Sequence, residues 1–411
     1  MTRYAAIPAI SLLLCAAPVS AWAAEPADNN RVGAHYSISP TNLAKPYATP
    51  GVANSADKIA RPEGAKLAVP KGFTSNLFAD DVEGARWMTV APNGDVFVAR
   101  SHSGTISVLR DTNGDGKADQ KQVFASGFAR PHGLAFHDGA LYVGDTQAVW
   151  RLEYKTGALK AGKKTRVTTE SFGGDGGHWT RDIAFGPRGT LFVAIGSGAN
   201  VATGEPRTRA TVQAVTKDGK LTTFASGLRN PVGIAFYPGT NLLFVVVNER
   251  DGLGDDLVPD YFTRIQKGQF FGWPYAYIGA HPDPDVGEEK PDMVAKARVP
   301  DLLFQSHSAP LGLMFYTGKQ FPADYNGDAF VALHGSWNAT KPTGYKVVRV
   351  KMKDGKPVGG YENFATGFWA RGTNPAKVWG RPVGLAQAKD GSLLIADDAG
   401  GAIWRVSYTG K

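Results

Sequence analysis

Apolar and polar positions alternate in short runs along most of the chain, and one run-turn-run pattern recurs six times. It reads WMTVAPNGDVFVA (87–99), HGLAFHDGALYVGD (132–145), RDIAFGPRGTLFVAIG (181–196), VGIAFYPGTNLLFVVV (232–247), GLMFYTGKQFPADYNGDAFVAL (312–333) and VGLAQAKDGSLLIAD (383–397). Each unit is an apolar run, a tight turn, and a strand whose successive side chains face opposite sides. The turn glycines are Gly94, Gly139, Gly189, Gly239, Gly327 and Gly391, at spacings of 45, 50, 50, 88 and 64. A second marker keeps phase with them: FASG at 124–127, FASG at 224–227 and FATG at 364–367. A period of about 40 to 50 residues with several strands per unit is the signature of a propeller. The pattern therefore predicts an all-β fold, a six-bladed β-propeller, with residues 67–79 completing the last blade. The two long spacings predict excursions near 248–310 and 334–380, and long loops are where function concentrates.

Composition agrees: 50 glycines and 26 prolines among 411 residues are hard to place in helix interiors. Residues 1–24 read as a secretory signal, with Arg3 at the start, an apolar stretch from Ile7 to Val19, and small residues at Ala21 and Ala23. Cleavage is expected near Ala23/Ala24, which implies a periplasmic or secreted protein, and the stretch is too short for a membrane span. Residues 25–66 form a Pro-rich leader along the surface, and 67–411 the propeller domain. Cys15, the only cysteine, lies inside the signal. The mature chain thus has no disulfide framework, haem-attachment CxxCH or cysteine metal site. The net charge of +8 comes from scattered basic residues, which gives no nucleic-acid footprint. GxSxG, Walker, dinucleotide and HExxH motifs are missing, so redox chemistry would need a cofactor other than NAD or haem.

Four constellations bear on chemistry. His178 stands in GGDGGHWTRD (173–182), a Gly-rich loop before an inner strand. It reads either as a general base facing the channel or as a loop histidine capping a turn. Arg229 and Asn230, in SGLRNPVG, suit a ligand's carbonyl or carboxylate oxygens, or a structural arginine bridging two blades. NERDGLGDDLVPDY (248–261) carries Glu249, Asp251, Asp255, Asp256 and Asp260 around Gly252 and Gly254. That density of oxygens suits Ca²⁺, or a solvated acidic turn. DTNGDGKAD places Asp111, Asn113, Asp115 and Asp119 at positions 1, 3, 5 and 9 of a Ca²⁺ loop, with Gln122 where a glutamate belongs at position 12. Its competing reading is an unmetallated Asx-rich turn.

These segments, with FFGWPYAYIG, HSAPLGLMFYTG, ALHGSWNATKPTGYKVVRV and GRPVGLAQAKDGSLLIADDAGGAIWRVSY, resemble the glucose/sorbosone dehydrogenase family over roughly residues 65 to 408, nearest its sorbosone branch. The resemblance implies a six-bladed propeller using pyrroloquinoline quinone (PQQ) and Ca²⁺ to oxidise an aldose or sugar aldehyde, with electrons leaving to an external acceptor. It implies His178 as the base, Arg229 as the group polarising the quinone oxygen, and Asn230 beside it. It also implies the carbonyls of Asp251 and Gly252 as Ca²⁺ ligands, Arg381 on a cofactor carboxylate, and Lys341 over the quinone. The chain departs from the family at Gly177, where an acid is usual, and at Ala339, where Arg follows HGSWN. Near Phe128 and Trp379 it lacks a glutamine and a second arginine. Two other functions suit the same fold: a Ca²⁺-dependent lactonase, and a non-catalytic propeller binding carbohydrate or a partner.

Overall fold

A computed structural model describes residues 27–410; the expected signal at 1–24, with Cys15, lies outside the described residues. Apart from short helical turns, the described residues are all-β. Five antiparallel four-stranded sheets follow one another along the sequence from Ala85–Val90 to Lys356–Ala365, and a sixth starts at Pro382–Gln387. The third sheet gains a short parallel strand, Gln269–Phe270, and the fifth gains His35–Tyr36 from the leader. The FASG, FASG and FATG markers end the fourth strands Gln120–Ala125, Leu221–Ser226 and Lys356–Ala365, which explains their shared phase.

The first strand of each sheet packs on the first strand of the next, and the sixth returns to the first, so the sheets close a ring. Close approach requires glycine at these contacts. A Cβ on Gly312 would lie 2.1 Å from the Val383 carbonyl oxygen, and one on Gly133 2.5 Å from that of Arg181. Trp87, Leu134, Val232, Leu311 and Val383, from the first strands of five sheets, share one buried cluster at the ring's centre. Phe73–Ala79 pairs with Ala402–Tyr408 as the outer strand of the sixth sheet, within the span 67–79 expected to do so.

The excursions are shorter than the spacing suggests. Lys346–Lys353 and Lys356–Ala365 stay in the fifth sheet, because the apolar run KVVRV pairs with Ala329–Leu333 instead of leaving with the loop. Likewise Tyr261–Ile265 and Leu302–Leu303 remain in the fourth sheet. What leaves the ring is mainly 249–260, 266–301 and 334–345.

Candidate functional site

First strands begin, and second strands end, at one side of the ring, and there the loops surround a cavity of about 430 Å³. His178 and Trp179 reach it ahead of the third sheet, and Arg229 and Asn230 at the start of the fourth. His334 enters just after Ala329–Leu333, and Arg381 just before Pro382–Gln387.

The His178 loop is held by arginines. Arg181 donates to the carbonyls of His178 and Gly174, and Arg209 to those of Gly174, Gly176 and Ser197. A Cβ at Gly177 would meet the Gly198 carbonyl oxygen at 2.2 Å, and φ is +65°. The acid usual at this position has no room. His178 Nδ1 lies 3.0 Å from the Ser197 carbonyl oxygen and 2.9 Å from Ser197 Oγ. Ser197 Oγ spends its own proton on the Ala199 carbonyl, 2.6 Å away. Both neighbours of Nδ1 are therefore acceptors, which assigns the ring proton to Nδ1 and leaves a lone pair on Nε2. Burial first, then the Arg229 charge, bring His178 down to about 3, so the imidazole is neutral at ordinary pH.

Arg229 is buried and all five of its N–H groups have acceptors. Nε donates to the Asn200 carbonyl, Nη1 to the carbonyls of Asn248 and Glu249, and Nη2 to Asn200 Oδ1 and, at 2.7 Å, Asp251 Oδ2. The expected hydrogen bond to a quinone oxygen is thus not available in this geometry. Arg229 instead ties the acidic loop to the third and fourth sheets, the bridging role that the sequence left open. Asn200, which sequence reasoning missed, completes the tie: its Oδ1 accepts the Asp251 N–H at 2.8 Å, and its Nδ2 donates to the Asp251 carbonyl at 3.0 Å. The other Asp251 oxygen accepts from Asn338 Nδ2 at 2.6 Å. Burial pushes Glu249 up to about 8 and Asp260 up to about 7. Asn230 Oδ1 and Glu249 Oε1 are buried without partners.

Opposite charges gather at His334 and Arg381. His334 Nε2 is 2.9 Å from Asp398 Oδ1, and Arg86 Nη1 pairs with Asp398 Oδ2. Burial works against the Asp398 charge, but His334 and Arg86 hold it well below the usual carboxylate range. Burial and Arg381 bring His334 down to about 4. Arg381 donates to the carbonyls of His334 and Gly335 through Nε and Nη2, which leaves Nη1 unspent. Arg86 keeps a buried Nε without a partner. The sequence reading passed over Arg86 and His334. One signal for this rim was present: Arg130, Asn230, Ala309 and Arg381 each precede a proline in an xPxG repeat, and the last three line the cavity.

Two expectations are corrected. Lys341 is exposed and lines a separate groove with the leader and Asp255, because the segment after Asn338 turns outward under the leader. Asp111, Asn113, Asp115 and Asp119 form no cation cage. Asp111 accepts from the amides of Gly114 and Gly116, Asn113 from Asp115, Asp115 from Lys117, and Asp119 from Thr112. Among the described residues no three or more His, Cys, Asp or Glu side chains group as a metal site. Ala339, Phe128 and Trp379 are all buried in packing.

A TrAA12-like family model matches residues 67–266 and 281–409. A protein of Borreliella burgdorferi with no characterised activity is 28% identical over 357 residues, 83% of this chain and 91% of its own. Aldose sugar dehydrogenase YliI of Escherichia coli is 26% identical over 164 residues, 36% of this chain and 43% of that enzyme. The solved PQQ domain of Coprinopsis cinerea pyranose dehydrogenase, in its holo form, superposes with a TM-score of 0.72 at 20% identity. The superposition covers 86% of this chain and all of that domain.

Proposed function

The chain belongs to the TrAA12-like family, and on that premise we propose that it is a quinoprotein dehydrogenase oxidising an aldose or sugar aldehyde. The six ring sheets would be six propeller blades, with substrate entering at the cavity. The observation that carries the reading is His178: a neutral imidazole of assigned tautomer lining a cavity in which Arg86 and Arg381 keep unspent donors.

The unpaired atoms fit a planar, carboxylate-bearing quinone. Arg86 Nε, buried without a partner, and Arg381 Nη1, left over when Nε and Nη2 bond to the loop carbonyls, suit its carboxylates. Ca²⁺, which takes six to eight oxygens, would use the carbonyls of Asp251 and Gly252, the former only by displacing a donor, since Asn200 Nδ2 and Arg250 Nε both reach it. Bound there, PQQ would supply the two-electron acceptor that the side chains lack.

The protein's own part is proton handling and positioning. His178 Nε2 takes the proton of the substrate hydroxyl, while Nδ1–H stays on Ser197 and holds the ring in place. Anionic groups laid against the arginines offset the charges that lower its basicity, which brings the base nearer working pH. Arg229 acts through its charge and through the Asp251 loop it holds. Asn230, with an unpartnered Oδ1, accepts from substrate or cofactor.

Among the described residues no helix is long and apolar enough to cross a membrane. Export, with cleavage near Ala23/Ala24, is part of the proposal, as is release of electrons to an external acceptor. Mass analysis of the mature N-terminus tests the cleavage.

Purified protein supplied with PQQ and Ca²⁺ should reduce a dye with at least one of a panel of aldoses and sugar aldehydes. No dye reduction and no change in quinone absorbance with any sugar would sink the reading. His178→Ala should lower turnover on the order of 10²- to 10⁴-fold and leave PQQ binding nearly intact. Wild-type turnover in that variant would remove His178 as the base.

A further inference from the structure

One leader segment, residues 47–54, touches two irregular loops that carry cavity residues. On the acidic loop, the Tyr47 N–H donates to the Leu253 carbonyl at 2.8 Å, and Thr49 Oγ1 accepts the Asp255 N–H at 2.7 Å. Gly51 lies so close that an added Cβ would stand 3.2 Å from Gly252 Cα. On the 335–341 loop, the Asn54 N–H donates to the Trp337 carbonyl at 2.7 Å. Asn54 Nδ2 reaches the carbonyls of Ala339 and Thr373, both at 2.9 Å, and that of Thr340 at 3.3 Å. Asn54 is only 8% exposed, an unusual place for an amide unless its bonds are needed. The loops also join each other, through Asn338 to Asp251 and through the Thr340 N–H to Asp255 Oδ1 at 2.9 Å.

The segment is anchored on both sides. Upstream, His35–Tyr36 pairs with the fifth sheet, and buried Lys346 Nζ lies 3.1 Å from Asn29 Oδ1. Downstream, Asp57–Lys58 pairs with Lys377–Val378. A chain tied at both ends holds what lies between at little further entropy cost. The acidic and 335–341 loops contain no strand or helix of their own, so their geometry depends on such outside bonds.

We propose that Thr49 and Asn54 are positioning residues, and that the leader is a strap setting Asp251 and the Trp337–Asn338 edge at the cavity. The consequence for cofactor and cation rests on the reading given under Proposed function; the fixing of the loops does not.

Thr49→Val removes the Oγ1 acceptor at nearly constant volume, Thr49→Ser keeps it, and Asn54→Ala removes the buried amide. Hydrogen exchange of the protein without added PQQ or Ca²⁺ reads the strap alone. Amides of 251–256 and 335–341 should exchange faster in Thr49→Val and Asn54→Ala, with Ala402–Tyr408 unchanged and Thr49→Ser like wild type. PQQ titration at fixed Ca²⁺, followed by quinone absorbance, should show half-saturation raised roughly three- to tenfold for each loss variant, the worth of one or two hydrogen bonds, and restored in Thr49→Ser. Unchanged exchange in both loops would overturn the strap. Faster loop exchange with PQQ affinity unchanged would overturn its link to the cavity. If wild type takes up no PQQ, the dehydrogenase reading fails while the exchange result still decides the strap. Thr49→Val alone suffices should Asn54→Ala not fold.

Discussion

Residues 111–119 and 248–256 carry aspartates at similar density, yet the fold employs them differently. In the first loop the carboxylates turn inward onto the loop's own amides and the loop stays at the surface. In the second, Asp251 bridges Arg229 and Asn338, and Asp255 accepts from Thr340. The difference lies in what surrounds each loop. The first joins two neighbouring strands of one sheet, so local Asx turns are its available partners. The second lies between the fourth sheet, the 335–341 loop and the leader, so its charges meet groups distant in sequence. A shared local motif thus does not imply a shared role.

The contrast can be broken most directly at Asp251. Asp251→Ala leaves the buried Arg229 guanidinium without its carboxylate, which should cost about 2–3 kcal/mol, below a fully buried pair because Asp251 is 22% exposed. Turnover with PQQ and Ca²⁺ should fall on the order of 10²-fold as the loop shifts. Denaturant unfolding and dye reduction measure the two. A variant as stable and active as wild type would erase the distinction between the loops.

The next effect is on pH. A histidine of ordinary basicity would lose about 16-fold of its unprotonated form between pH 6.5 and pH 5. His178 is lowered, so the base stays unprotonated as pH falls and is lost only on approaching its depressed value near 3. In kcat/KM, the acid limb should therefore lie well below pH 6.5. Anionic groups on the arginines offset part of that lowering but not the burial, so a limb at 6.5 or above would mean that burial around His178 does not act on it.

The smallest effect is expected at the surface loop. Asp111→Ala removes two Asx-type bonds and should cost about 0.5–1.5 kcal/mol, with turnover and the dependence of Tm on Ca²⁺ unchanged. Lost calcium stabilisation in this variant would restore the cation-site reading of 111–119.

The ring was legible because a repeat imposes its period on sequence: the turn glycines report the same hairpin in all six sheets, and the FASG markers the fourth strand in the first, third and fifth. His178 was legible because a histidine among glycines is locally unusual. Asn200, Arg86, Asn54 and His334 were not, since each acquires its role from a partner in another sheet or in the leader, and no local spacing encodes that. Lys341 shows the converse: it stands near the right motif, but the chain turns outward after Asn338. Arg229 was found in the right place but with its donors already spent, something only the loop packing reveals.

Phe73–Ala79 has a consequence for the order of assembly. It is the earliest of the strands that make up the six four-stranded units, yet its partner, Ala402–Tyr408, is the latest of them. During synthesis the strand must wait, unpaired, until the rest of the ring has been made, and closure must bring together segments more than 300 residues apart. Contacts of that separation form late and slowly. The ring should accordingly fold as one unit after Ala402–Tyr408 has been made, and loss of that strand should leave an exposed edge open to association with other chains.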